Sequence, residues 1–155
     1  MTPRARKLLL TAHVTCSVGW FGAVAAYLVP AFVGLTSIDP ERVRAAWQLM
    51  ALLGWWVLVP LALGSLVTGI AQSLATEWGL LRHYWIAAKL ALTLLGTFVL
   101  LGHLVRRVSG AALLVSADAF TRSDFQLLRL QLVVHAAGGL LLLLATIALS
   151  IFKPW

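Results

Sequence analysis

The chain has 155 residues, 61% of them hydrophobic and 11% charged, with a net charge of +7. Its apolar segments take up nearly all of that length and leave no room for a separate soluble domain. The basic residues stand beside those segments, where they set topology and meet lipid headgroups, so a nucleic-acid-binding face is excluded.

Four apolar stretches, about 8–35, 45–71, 84–105 and 130–152, each exceed the ~20 residues a helix needs to cross ~30 Å of hydrocarbon. The expected fold is all-α: an integral membrane four-helix bundle in a single transmembrane domain. The first stretch follows Arg4, Arg6 and Lys7 and resembles a signal peptide at its start. It is too long for an h-region of about 7–15 residues and carries His13, Trp20 and Tyr27, so it reads as a retained transmembrane helix. The single Cys16 lies inside it and forms no disulfide framework.

The first connection contains Asp39-Pro40-Glu41, an N-cap acid, a first-turn proline and a first-turn acid, which starts the second helix near Pro40. Pro60 lies inside that span and predicts a kink, with Gly54, Gly64 and Gly69 letting neighbours approach. The second connection, 72–83, is short. The third, 106–129, is the longest, and its apolar residues Ala111–Val115 and Phe120 predict a segment lying on the membrane surface. Trp47, Trp78, Trp85 and Trp155 fall near span ends as interfacial anchors, whereas Trp20, Trp55 and Trp56 lie deeper. Basic residues divide almost evenly between the two sides. The triplet Arg4, Arg6 and Lys7 favours both termini in the cytoplasm, and hence a cytoplasmic (inner) membrane location.

Histidines inside such spans carry the functional signal, because a coordinating or ionisable group in lipid is costly. Lys89 and His103 are fourteen residues apart, which puts them within about 40° on one helix face and ~21 Å apart along the axis. Depth sorts the polar residues into two levels: His13 with Lys89 near one membrane face, His103 with His135 near the other. Gly102 precedes His103, and Gly138 and Gly139 follow His135 by one turn, leaving clearance for a flat ligand. His83 lies at the interface.

Ligand chemistry narrows the cofactor. Sulfur donors for copper are few, and the spans hold no Asp or Glu for zinc. Histidines on different helices beside glycines fit b-type haem (heme b), with one or two haems held by His13, His103 and His135 as iron ligands and Lys89 as a further cofactor-side residue. No C-x-x-C-H is present for covalent haem, and no Ser-His-Asp or nucleotide-loop motif occurs.

His13, Trp20-Phe21-Gly22 and Tyr27-Leu28, together with Trp85 and Lys89-Leu90, resemble the HemJ-type protoporphyrinogen oxidases. Pro60, Gly64 and Thr68 are similar to that family's second helix, and the same loose pattern recurs in CopD-like four-helix membrane proteins. The resemblance covers about the first 95 residues and implies His13 and Lys89 as haem-side residues. The chain departs from it at Val29-Pro30-Ala31, where the family continues with an arginine, and at Ala87, where it has a histidine.

The expectation is therefore a haem b-binding membrane redox protein, with a quinone, a porphyrin or a redox protein as partner. Oligomerisation is compatible with such a bundle, and Arg82, Arg106 and Arg107 are placed to pair with haem propionates. Two rivals are a CopD-like copper or small-solute permease and a non-catalytic assembly subunit.

Overall fold

The computed structural model describes residues 2–75, 83–103 and 123–152, with side chains from 126 onward in the last stretch. All of its regular structure is helical: α1 (Pro3–Thr36), α2 (Pro40–Leu53), α3 (Val59–Leu74), α4 (Tyr84–His103) and α5 (Ser123–Phe152). A π-turn, Gly54–Leu58, joins α2 to α3, so the two make one membrane span. Four spans long and apolar enough to cross a bilayer result, and the protein is an all-α four-helix membrane bundle.

Local chemistry explains where the helices start and stop. Thr2 caps α1 by accepting from the Ala5 amide, with Pro3 in the first turn. Asp39 caps α2 by accepting from the Glu41 amide at 3.0 Å, with Pro40 at the first position, as the sequence predicts. The break near Pro60 takes the form of the π-turn immediately before it. Pro60 lacks the amide proton that a regular α ladder would use, and the wider turn is a recognised way to absorb that loss. Pro30 stays inside a continuous α1. The fourth helix starts at Ser123, seven residues before the predicted span, which shortens the third connection; the proposed surface segment at 111–120 lies outside the described residues.

Helix α1 packs against α2, α3 and α5, while α4 packs against α3 and α5. The spans thus close a ring in chain order, with the first and third on opposite corners. The two halves of the bundle are filled differently. On the far side, where α1 turns into α2, Val24, Tyr27, Ala31, Val43, Trp47, Met50 and Leu132 make a tight core. On the near side, where α1 begins and α5 ends, the centre is hollow. Helix α4 is the least buried of the spans, with 11% of its apolar window buried against 33% for α1.

Trp47 is wholly buried against α1 and is a core residue rather than an interfacial anchor. Trp55 and Trp56 face outward, with Trp56 78% exposed, and meet lipid. Phe32, Phe98 and Phe152 do the same, as an apolar solvent permits. Trp78 and Trp155 lie outside the described residues.

Candidate functional site

The near-side hollow is a cavity of about 650 Å³ between α1, α3, α4 and α5, within the range of cofactor and small-ligand sites. His13 and Lys89, which the sequence puts at one depth, both line it.

His13 belongs to the α1–α3 wall. Its Nδ1 lies 3.1 Å from the Ser65 carbonyl oxygen and 3.1 Å from Thr68 Oγ1. A carbonyl only accepts, so Nδ1 must carry the proton and donate. Thr68 Oγ1 donates its own proton to the Gly64 carbonyl, which leaves its lone pairs for His13. Ser17 and Ser65 join hydroxyls at 2.8 Å one turn deeper. This network assigns the tautomer: Nε2 holds the lone pair, on a ring that lines the cavity. Metal-ligating histidines are commonly oriented through a backbone carbonyl in this way.

The α3 surface is shaped for the ring. A Cβ at Gly69 would lie 3.0 Å from His13 Cε1, and one at Gly64 would lie 2.9 Å from Cys16 Sγ. At both glycines a side chain would push a residue of α1 aside.

Lys89 belongs to the α4–α5 wall. Its ammonium donates to Ser150 Oγ at 3.3 Å and sits 4.6 Å from the centre of the Trp85 ring. Arg6 stands nearer the opening, and Ser17, Ser65, Gln72, Ser73, Thr93 and Thr146 add polar groups around the wall. Among the described lining residues, Arg6, His13 and Lys89 are basic and none is acidic.

Trp20 closes the bottom. It lines the cavity, is 3% exposed, and has its ring edge 3.5 Å from where a Cβ at Gly96 would be. Leu142 covers the same point from α5 at 3.3 Å. A Cβ at 96 would press on Leu142 and touch the Trp20 ring.

The second level lies beyond it. His103 of α4 and His135 of α5 stack, with ring centres 4.7 Å apart and planes 23° apart. Their nitrogen lone pairs lie in nearly parallel planes and point alongside each other. An iron held between the two rings would require them to part. His135 Nδ1 donates to the Gln131 carbonyl at 2.6 Å, which leaves Nε2 as its acceptor. Among the described residues, nothing lies within 4 Å of a Cβ built at Gly102 or Gly138, whereas one at Gly139 would meet Val24 at 3.9 Å. His83 accepts from the Ile86 and Ala87 amides through its carbonyl at the start of α4, beside Trp85. Arg82, Arg106 and Arg107 lie outside the described residues. Among the described residues no three His, Cys, Asp or Glu side chains gather to hold a bare metal ion.

Ser17, Ser65, Thr68 and Ser150 are the functional candidates that composition hides. Hydroxyls are common in membrane helices, and these are set apart only by their partners on another helix: Ser65 and Thr68 against His13, Ser150 against Lys89, and Ser17 against Ser65. Ser65 and Thr68, three residues apart and flanked by Gly64 and Gly69, do carry a faint signal as a polar, small-residue stripe.

No family model matches the chain, and no match is found among curated proteins or solved structures.

Proposed function

We propose that the protein is a haem b-binding integral membrane redox protein, in which His13 would hold the haem iron in the near-side cavity. The observation that carries this reading is the His13 tautomer: Nδ1–H is tied to α3, and Nε2 is left as the lone-pair donor of a side chain that lines a cavity of about 650 Å³. The donor set is in keeping with a macrocycle. A bare ion needs three or four protein ligands, while a porphyrin supplies four nitrogens of its own and asks the protein for one or two.

The haem, when bound, supplies one-electron exchange between ferric and ferrous iron. The residues of the chain hold and tune it. Ser65 and Thr68 fix the ring plane of His13, and their hydrogen bond raises its basicity as a ligand. Trp20 and Trp85 offer flat apolar walls, and Lys89 and Arg6 put positive charge where carboxylate groups would leave the apolar region. A second haem would rest on His135 Nε2 beside Gly102 and Gly138, with His103 covering the other side. A quinone, a porphyrin or a redox protein would be the electron partner, in a cytoplasmic membrane with both termini inside. The resemblance to HemJ-type and CopD-like proteins supports the His13 and Lys89 assignments.

The same hydrogen bonds from His13 favour one rival, an assembly subunit in which the histidine only joins α1 to α3. The two readings part on colour. The chain purified in mild detergent is expected to show a Soret band and sharp reduced α and β bands, with a pyridine haemochrome ratio of one or two haems per chain. His13→Ala is expected to lose the near-side haem. A colourless protein from haem-replete cells refutes the redox reading and leaves the assembly subunit.

A further inference from the structure

We infer that the bottom of the near-side cavity is a hydroxyl-lined subsite that takes the aromatic O–H of a neutral, quinol-type ligand. This rests on the reading that the cavity is the ligand site, and it adds the form of the ligand and the depth its head reaches.

Helix registers put four hydroxyls at one level. Trp20 of α1 faces Gly96 of α4, and these two helices run in the same direction, so Ser17 is level with Thr93. Val24 faces Gly139 of the antiparallel α5, and seven residues back along α1 and onward along α5 lie Ser17 and Thr146. The contact of Lys89 with Ser150 gives the same pairing of Thr93 with Thr146, one turn deeper. Ser17 meets Ser65 of α3 directly, at 2.8 Å. Each helix that walls the cavity thus supplies one of these hydroxyls, about 6 Å below His13 and just above the Trp20 floor. All four residues line the cavity.

Their protons are mostly engaged already. A hydroxyl carries one proton and two lone pairs. Thr93 donates its proton to the Lys89 carbonyl at 2.8 Å, and Thr146 donates to the Leu143 carbonyl at 2.7 Å. One further proton joins Ser17 to Ser65. At most one of the four is left for a ligand, while both threonine oxygens keep their lone pairs. Back-bonding of this kind is ordinary in membrane helices. Here, however, the oxygens converge on a cavity, and a wall of acceptors favours a group that donates over one that only accepts. A quinol carries O–H groups and its quinone does not, so the reduced form fits the subsite better. Trp20 and Trp85, which line the same cavity, offer aromatic faces to its ring.

The probes are 4-hexylphenol and 4-hexylanisole, which share a body and differ in the donor proton. Binding to the full chain in nanodiscs is measured by equilibrium dialysis, with empty nanodiscs subtracted. The phenol should bind roughly 3- to 10-fold more tightly than the anisole, the worth of one hydrogen bond. Thr93→Val combined with Thr146→Val removes both acceptor oxygens at nearly the same side-chain shape, and should bring the two affinities to within about twofold. Thr93→Ser combined with Thr146→Ser keeps the oxygens and should keep the preference.

Equal binding of phenol and anisole to the parent chain overturns the inference, as does a preference that survives the double valine variant. Should that variant not fold, the single Thr93→Val and Thr146→Val chains replace it, and a preference lowered in neither overturns the inference. Repeating the dialysis with His13→Ala separates this inference from the haem reading. A phenol preference that emerges only without His13 marks a subsite covered by a His13-held ligand, which supports the inference. No preference in either chain overturns it, whatever the absorption spectrum shows. A phenol preference in a colourless chain sinks the haem and leaves the inference standing.

Discussion

Gly69→Ala isolates the fit between α3 and His13. The added methyl would lie 3.0 Å from His13 Cε1 and 3.4 Å from Nδ1, closer than ordinary contact. The ring has little freedom to retreat, because the Ser65 carbonyl that anchors it sits one turn back on the same helix. Overpacking of this kind costs about 1–3 kcal/mol. If the ring swings free instead, the hydrogen bond is lost, at about 0.6 and up to ~1.7 kcal/mol in a membrane bundle.

Alanine also favours helix over glycine by up to ~1 kcal/mol, which would blur a single measurement. Gly138→Ala provides the control, since no described residue lies within 4 Å of its Cβ position and the propensity gain is shared. The difference between the two variants should therefore be about 1–3 kcal/mol, with Gly69→Ala the less stable. Equilibrium unfolding by SDS in mixed micelles, followed by tryptophan fluorescence, measures it. Equal stability, or a more stable Gly69→Ala, would refute the reading that His13 is seated on Gly69.

Gly64→Ala should be destabilised by a like amount through its 2.9 Å approach to Cys16 Sγ, and Cys16→Ala should restore most of the loss in the double variant; additive losses would sink this. Trp47→Ala, which empties a wholly buried site, should cost about 3–5 kcal/mol, whereas Trp56→Ala, facing lipid, should stay within about 0.5 kcal/mol in the same assay. Tyr27→Phe should leave stability unchanged or raise it. The Tyr27 hydroxyl is buried with no hydrogen-bond partner among the described residues, and such a group costs about 1–3 kcal/mol. A loss above about 1 kcal/mol would mean that the hydroxyl is satisfied after all. Asp39→Ala should weaken the start of α2 by about 0.5–2 kcal/mol, read as amide exchange over its first turn; its 3.3 Å bridge to Arg42 is solvent-exposed and adds little.

The sequence by itself determined the helices and their approximate depth. Apolar length alone forces each span to satisfy its backbone internally, and Asp39-Pro40 fixes a helix start through local hydrogen bonding. Fourteen-residue spacing likewise put Lys89 and His103 on one face, and both meet α5 in the folded bundle, at Ser150 and at His135.

What only the tertiary structure decided is which residues face each other across helices. That Trp47 is core while Trp56 meets lipid depends on the rotation of the second span about its axis, and hydropathy is the same on either face of an apolar helix. The Ser65–Thr68 hold on His13, the Trp20 floor on Gly96 and the stacking of His103 on His135 each join residues more than thirty positions apart. The cavity is walled by residues of α1, α3, α4 and α5 together. No local pattern encodes that gap, since it is set by side-chain volumes contributed from four helices at once.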